Sequence, residues 1–152
     1  MLGKPVPDFS LPSTGSSSPF RLSSLRGRKV VLYFYPKDGT PGCSAEGADF
    51  AARYTAFRRA NCEVLGVSRD PLASHARFKA KQKFPFELLS DPDEAVCAQF
   101  GVMKLKNMYG KQVRGIERST FVIDEEGVLA REWRGVKVTG HVQEVLNFAQ
   151  AL

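Results

Sequence analysis

The sequence is short of the residues that build metal sites, disulfide scaffolds and membrane spans. Its 152 residues include three cysteines and two histidines. No two of Cys43, Cys62 and Cys97 are neighbours, and His75 and His141 stand alone, so zinc-ligand spacing is absent and no metal is expected. An odd, sparse set of cysteines excludes a disulfide framework and points to a reducing compartment. No apolar run is long enough to span a bilayer, and residues 1–9 carry no signal-peptide pattern. The final Ala-Gln-Ala-Leu is no prenylation signal. These absences lead us to expect a cytoplasmic protein without a membrane partner. Internal repeats are missing too. Charge of one sign is not massed anywhere: 22 Lys and Arg against 16 Asp and Glu leave +6, spread along the chain. Such an excess permits an anionic partner without requiring one.

What is present fits one globular domain over residues 1–152. Apolar residues make up 43% and charged residues 25%, which excludes a largely disordered chain. Around Ser13-Thr14-Gly15-Ser16-Ser17-Ser18 lie two short apolar pieces, Phe9-Ser10-Leu11 and Phe20-Arg21-Leu22, which predict an N-terminal β-hairpin. Lys29 to Tyr35 is a continuous β-branched and aromatic run ending at Pro36, the pattern of a central strand covered on both faces. From Cys43 to Ala60 the period becomes helical, with Phe50, Tyr54 and Phe57 on one face. Cys62–Val67 reads as a strand, and Ser68-Arg69-Asp70-Pro71 opens a helix to about Lys83. Phe86–Leu89 reads as a short strand. Asp91-Pro92-Asp93-Glu94 starts a short helix ending near Gly101, with Pro92 in its first turn. Ser119–Asp124 and Val128–Trp133 flank Glu125-Glu126-Gly127 as a hairpin. Val142, Val145, Leu146, Ala149 and Leu152 mark a closing helix. Strands separated by helices pair in parallel through right-handed crossovers, and the closing hairpin adds antiparallel strands. The expected α/β fold is therefore thioredoxin-like: a mixed central sheet flanked by helices.

The segment Tyr35-Pro36-Lys37-Asp38-Gly39-Thr40-Pro41-Gly42-Cys43-Ser44-Ala45-Glu46 joins a strand's carboxyl end to a helix start, where α/β folds place ligands. Thr40 suits the N-cap and Pro41 the first helical position. Cys43 then falls in the first turn, where free backbone N–H groups and the helix dipole favour a thiolate. Most free cysteines are small core residues, but the Pro-Gly turn and helix start favour a reactive thiol here. A thiol of pKa ~8.5 is a few per cent ionised at neutral pH, so full ionisation gains at most ~30-fold, or ~2 kcal/mol. A fast reaction also needs donors aimed at the transition state. Thr40 hydroxyl, the Cys43 backbone N–H and a distant arginine are the candidates.

The spacing Pro36-x-x-x-Thr40-x-x-Cys43 resembles the peroxiredoxin active-site signature. Tyr33-Phe34-Tyr35-Pro36-Lys37-Asp38 with Thr40-Pro41-Gly42-Cys43 is similar to the bacterioferritin-comigratory, PrxQ-type subfamily. The likeness runs on through Pro7-Asp8-Phe9-x-Leu11, Gly66-Val67-Ser68-x-Asp70, Leu88-Leu89-Ser90-Asp91 and Arg118 to Asp124. It implies a thiol-dependent peroxidase acting on hydrogen peroxide and organic hydroperoxides, with no metal, haem or flavin cofactor. Cys43 would be the peroxidatic cysteine and Thr40 its hydrogen-bond partner. Pro36 would shield the pocket, Arg118 stabilise thiolate and peroxide oxygens, and Glu46 orient the polar groups. Each has a plainer reading: a solvated arginine, a helix-dipole partner, a simple N-cap and a strand terminator.

The resemblance also marks departures. The subfamily's resolving cysteine stands either five residues after the peroxidatic one, here Ala48, or on the next helix, here Lys79. Cys62 reads as a core residue, and Cys97 is the better intrachain candidate for resolution. A one-Cys cycle completed by thioredoxin, glutaredoxin or a small thiol is the preferred expectation, in a monomer or weak dimer. Lys79, Lys81, Lys83, Lys104, Lys106, Lys111 and Arg114 read as solvated faces and a loop. They lack the aromatic interleaving of a nucleic-acid site. Met108, in the Lys104–Gly110 loop, is a candidate for pocket lining. The alternative function is a redox-sensing or nucleic-acid-associated binding protein without turnover. A thiol–disulfide oxidoreductase is disfavoured because no Cys-x-x-Cys is present.

Overall fold

The computed structural model describes residues 1–152. In chain order the elements are β1 (Ser10–Leu11), β2 (Phe20–Arg21), a 3-10 turn (Leu22–Leu25), β3 (Lys29–Phe34), α1 (Pro41–Arg59), β4 (Cys62–Ser68), α2 (Leu72–Gln82), β5 (Glu87–Ser90), α3 (Ala95–Gln99), β6 (Met103–Met108), β7 (Lys111–Ile116), β8 (Ser119–Ile123), β9 (Leu129–Arg134) and α4 (His141–Ala151). The central sheet runs β5-β4-β3-β8-β9. β3 is parallel to β4 and antiparallel to β8, so the sheet is mixed as expected. The N-terminal hairpin forms through Ser10↔Arg21 and Leu11↔Phe20.

Every residue of β3 is buried. Successive side chains of a strand point to opposite faces, and here each face meets its own core. Val31, Tyr33 and Tyr35 pack with Phe50 and Phe57 of α1, Phe78 of α2, and Val142 and Val145 of α4. Val30, Leu32 and Phe34 pack with Leu11, Leu22, Val96, Cys97, Phe100 and Phe121. The helical period read over α1 thus has a physical meaning: Phe50 and Phe57 are 0% exposed, each contributing about 1.5–3 kcal/mol by leaving water.

Three expectations change. Lys104–Gly110 is not a loop: β6 and β7 pair as a two-stranded hairpin. Its turn residues Tyr109 and Gly110 both have positive φ (53° and 78°), the requirement of a tight turn matched to strand twist. The helix expected from Asp91 starts only at Ala95, because Glu94 adopts a left-handed conformation at φ 62° and Pro92 falls in the preceding turn. Leu152 lies past the end of α4 and is 44% exposed, so it leaves the apolar face. No helix of the chain is long and apolar enough to cross a membrane.

Candidate active site

Strand pairing creates the site. β8 runs antiparallel to β3 with Ser119 opposite Phe34, so the residue before β8 arrives at the carboxyl end of β3. That residue is Arg118. The same end of β3 leads through Pro36–Thr40 into α1, whose third residue is Cys43. Two groups 75 positions apart in sequence therefore meet: Arg118 Nη2 donates to Cys43 Sγ at 3.5 Å. Arg118 Nη1 donates to Glu46 Oε1 at 2.7 Å, so the guanidinium bridges the thiol and the next turn of the same helix.

Burial sharpens these contacts. Cys43 is 2% exposed and Glu46 is 0% exposed. Burial pushes the Glu46 carboxyl up to about 7, against the pull of Arg118. Its second oxygen, Oε2, has no hydrogen-bond partner and neither does the buried Tyr33 hydroxyl. Arg118 loses to desolvation but gains more from Glu46 and Cys43, and its pKa is raised. It stays a cation. A Cβ on Gly42 would come within 3.1 Å of Arg118 Nη2, so a side chain there would press on the guanidinium. A Cβ on Gly47 would meet the Phe84 ring at 2.3 Å, which makes this glycine a packing requirement of α1.

Thr40 occupies the N-cap position in extended conformation, and Pro41 follows at the first helical position. Its hydroxyl, expected on Cys43, instead donates to the Lys37 carbonyl at 2.9 Å within the turn. Pro36 is half-buried at the end of the strand. Met108 does not line the site; it pairs with Lys111 at the hairpin tip and is 48% exposed. Lys106, read from the sequence as a solvated loop lysine, is half-buried. Its ammonium donates to the Ile116 carbonyl, and desolvation followed by the Arg118 charge lowers its pKa. The alternation of Lys104 and Lys106 before Tyr109-Gly110 was the available signal for its strand.

The remaining cysteines stay away from Cys43. Cys97 belongs to the core on the other face of the sheet. The central sheet lies between the two cores that hold Cys43 and Cys97, and a disulfide needs Cα atoms within ~7 Å, so a bond between them would require the first turn of α1 to unwind. Cys62 shares the Cys43 face but pairs with Lys29, at the opposite end of β3. Burial pushes its thiol up to about 12. Lys79 on α2 forms an ion pair with Glu87, and Ala48 is an exposed residue of α1. Asp38, Asp70 and His75 bring ligand atoms within 4.8 Å of one another, but hydrogen bonds already occupy the His75 ring nitrogens. The largest cavity, about 470 Å³, lies between β9 and α4 around Trp133, Val136 and His141, and Cys43 does not line it.

The AhpC/TSA family pattern matches residues 2–132. The chain belongs to this family. Within it, the chain is 52% identical to Peroxiredoxin Bcp of Xanthomonas campestris, covering 99% of this chain and 95% of that one. It is 45% identical to Peroxiredoxin Bcp of Bacillus subtilis, over 96% and 92% of the two chains. A solved Xanthomonas campestris bacterioferritin comigratory protein, studied for alkyl peroxide reduction, superposes with a TM-score of 0.88 at 50% identity, covering 94% and 90%. A Xylella fastidiosa PrxQ variant superposes at 0.93 with 45% identity, covering 99% and 96%. This AhpC/TSA member is thus a peroxiredoxin of the Bcp type with a thioredoxin-like fold, a thiol-dependent peroxidase that takes a peroxide and a thiol reductant.

Proposed function

We propose that Cys43 is the residue that carries the peroxidase activity, with Arg118 as its catalytic partner. The observation that carries this reading is the Arg118 guanidinium, held by Glu46 at 2.7 Å and aimed at Cys43 Sγ at 3.5 Å. The Cys43 thiolate attacks one peroxide oxygen, forming an S–O bond as the O–O bond breaks. The departing oxygen leaves as hydroxide or alkoxide and takes up a proton, giving water or an alcohol. Cysteine is left as sulfenic acid. Negative charge spreads from sulfur over both oxygens in the transition state, and a fixed cation beside it lowers the barrier. Glu46 keeps the guanidinium in place. Thr40 and Pro36 shape the turn in front of the thiol.

The cycle is one-Cys within the chain, because neither Cys62 nor Cys97 is within reach. An external thiol, thioredoxin, glutaredoxin or a small thiol, attacks the sulfenic sulfur, releases water and forms a mixed disulfide, which a second thiol resolves. Hydrogen peroxide and organic hydroperoxides are the substrates of a cytoplasmic protein folded as one domain, active as a monomer or weak dimer. Intact-mass measurement after one equivalent of peroxide tests the scheme. A dimedone-trapped sulfenic acid on Cys43 is expected. A Cys43–Cys97 crosslink forming as fast as peroxide disappears would end the one-Cys reading.

A further inference from the structure

The turn Pro36–Thr40 is tied to the body of the protein at one residue, Asp38, through both its side chain and its backbone N–H. Lys37 and Gly39 on either side are exposed, yet the Asp38 side chain is only 6% exposed. Its Oδ1 accepts from the Tyr35 hydroxyl at 2.6 Å. Its Oδ2 accepts from the Ser74 hydroxyl at 2.8 Å and from His75 Nδ1 at 2.7 Å. The Asp38 backbone N–H donates to Asp70 Oδ2 at 3.0 Å, an oxygen that also accepts from the Ser68 hydroxyl. Thr40, the other polar side chain of the turn with a hydrogen bond, bonds only within the turn.

His75, in α2, is 0% exposed. Its Nε2 lies 2.9 Å from the Leu89 carbonyl oxygen, which can only accept. Its Nδ1 faces Asp38. Burial pushes that carboxyl up, but the hydrogen bonds from His75 and Tyr35 outweigh it and hold it below its ordinary value, so it is a carboxylate. The Tyr35 proton is already spent on Asp38 at the shorter distance. Both ring nitrogens therefore face acceptors, and the geometry calls for a donor at each.

We propose that His75 is a positioning residue for the Cys43 site, a buried ring clamped between Asp38 and the Leu89 carbonyl that fixes the turn from which α1 starts. The proposal rests on the Cys43 reading above. Asp38 stands two positions before Thr40, the N-cap of α1, and the third residue of α1 is Cys43. Arg118 arrives separately, on β8. The registration of thiol against guanidinium therefore depends on where the turn is held, and a misplacement of about 1 Å can cost about 10²-fold in rate.

The test compares the wild type, His75→Gln and the double variant Asp38→Asn/His75→Gln. In the double variant the amide introduced at position 38 can donate to the side-chain carbonyl introduced at position 75. The amide nitrogen at position 75 then donates to the Leu89 carbonyl, restoring a neutral bridge. The single variant is expected to lose about 10- to 100-fold in peroxide rate, and the double variant to recover most of that loss. Nitrogen-15 NMR of the unmutated protein is expected to show protons on both His75 ring nitrogens. Three results overturn the proposal: a folded single variant with wild-type rate, a loss that the double variant does not recover, or a bare ring nitrogen in the wild type. If His75→Gln does not fold, the NMR spectrum and the double variant's rate still decide. Alkylation of Cys43 by iodoacetamide, which needs no peroxide, is measured on all three proteins. A wild type without peroxidase activity would defeat the Cys43 reading, and the alkylation rates would then judge the positioning role alone.

Discussion

Cys43 and Cys97 are a matched pair with opposite surroundings. Each is the third residue of its helix, and they are 2% and 0% exposed. Their partners differ. Cys43 faces the Arg118 guanidinium. Cys97 lies at Asp91, whose Oδ2 accepts from the Cys97 backbone N–H at 2.7 Å. Burial, then the hydrogen bond and charge of Asp91, push the Cys97 thiol well above its ordinary range. The two helix starts therefore differ in the side chain beside the thiol, a guanidinium at Cys43 and Asp91 at Cys97.

The largest expected effect in this comparison is loss of the reacting sulfur. Cys43→Ser should abolish peroxide reduction with the fold intact, as read by peroxide consumption with thiol and by circular dichroism. Retained turnover would show that the pair had been read the wrong way round. Next comes the cation. Arg118→Ala should slow the peroxide step by about 10²–10³-fold, the loss typical of one preorganised donor. Measuring the thiolate fraction beside the rate sharpens the result: a rate that falls only with that fraction would make Arg118 a charge partner and nothing more.

A smaller effect, on stability, comes from the carboxyl that holds the cation. Burial raises Glu46 from 4.5 to about 7 in the folded chain. Between those values the folded protein holds a proton that the unfolded chain has released. The stabilisation is full below the unfolded pKa and is lost as pH rises through about 7. The wild type should lose up to about 3 kcal/mol across this window, and Glu46→Gln should not. Guanidinium unfolding at about pH 5 and about pH 8 checks it, and equal pH slopes for the two proteins would refute it. Smallest in its effect on activity is Cys97→Ala. It should leave the peroxide rate within about twofold of wild type and cost about 1 kcal/mol of stability through lost core contacts. A collapse of turnover with thiol would restore Cys97 to the cycle.

Local pattern carried much of this molecule. The run Lys29–Tyr35 specified β3 because every residue there is apolar or aromatic save the first. The turn and Pro41 specified the start of α1, and the spacing of Phe50 and Phe57 specified its buried face. The β6–β7 hairpin was harder to see because it packs little: Leu105, Met108, Tyr109 and Val113 remain exposed, so no core-facing period marks it. Residue types alone also left Cys97 open as a resolving residue, since its position in the chain carries no statement about which face of the sheet it meets.

The sequence by itself determined which thiol starts the long helix, and with it the elements of a mixed α/β sheet. Those features depend on neighbours within a few positions, through capping, dihedral restriction and side-chain period. The tertiary structure alone decided that Thr40 turns its hydroxyl to Lys37, that Arg118 meets Cys43, that the sheet lies between Cys97 and Cys43 and that His75 reaches Asp38. Such contacts join groups as far as 75 positions apart. They are fixed by strand order and register, which arise only when both faces of β3 are packed together at once.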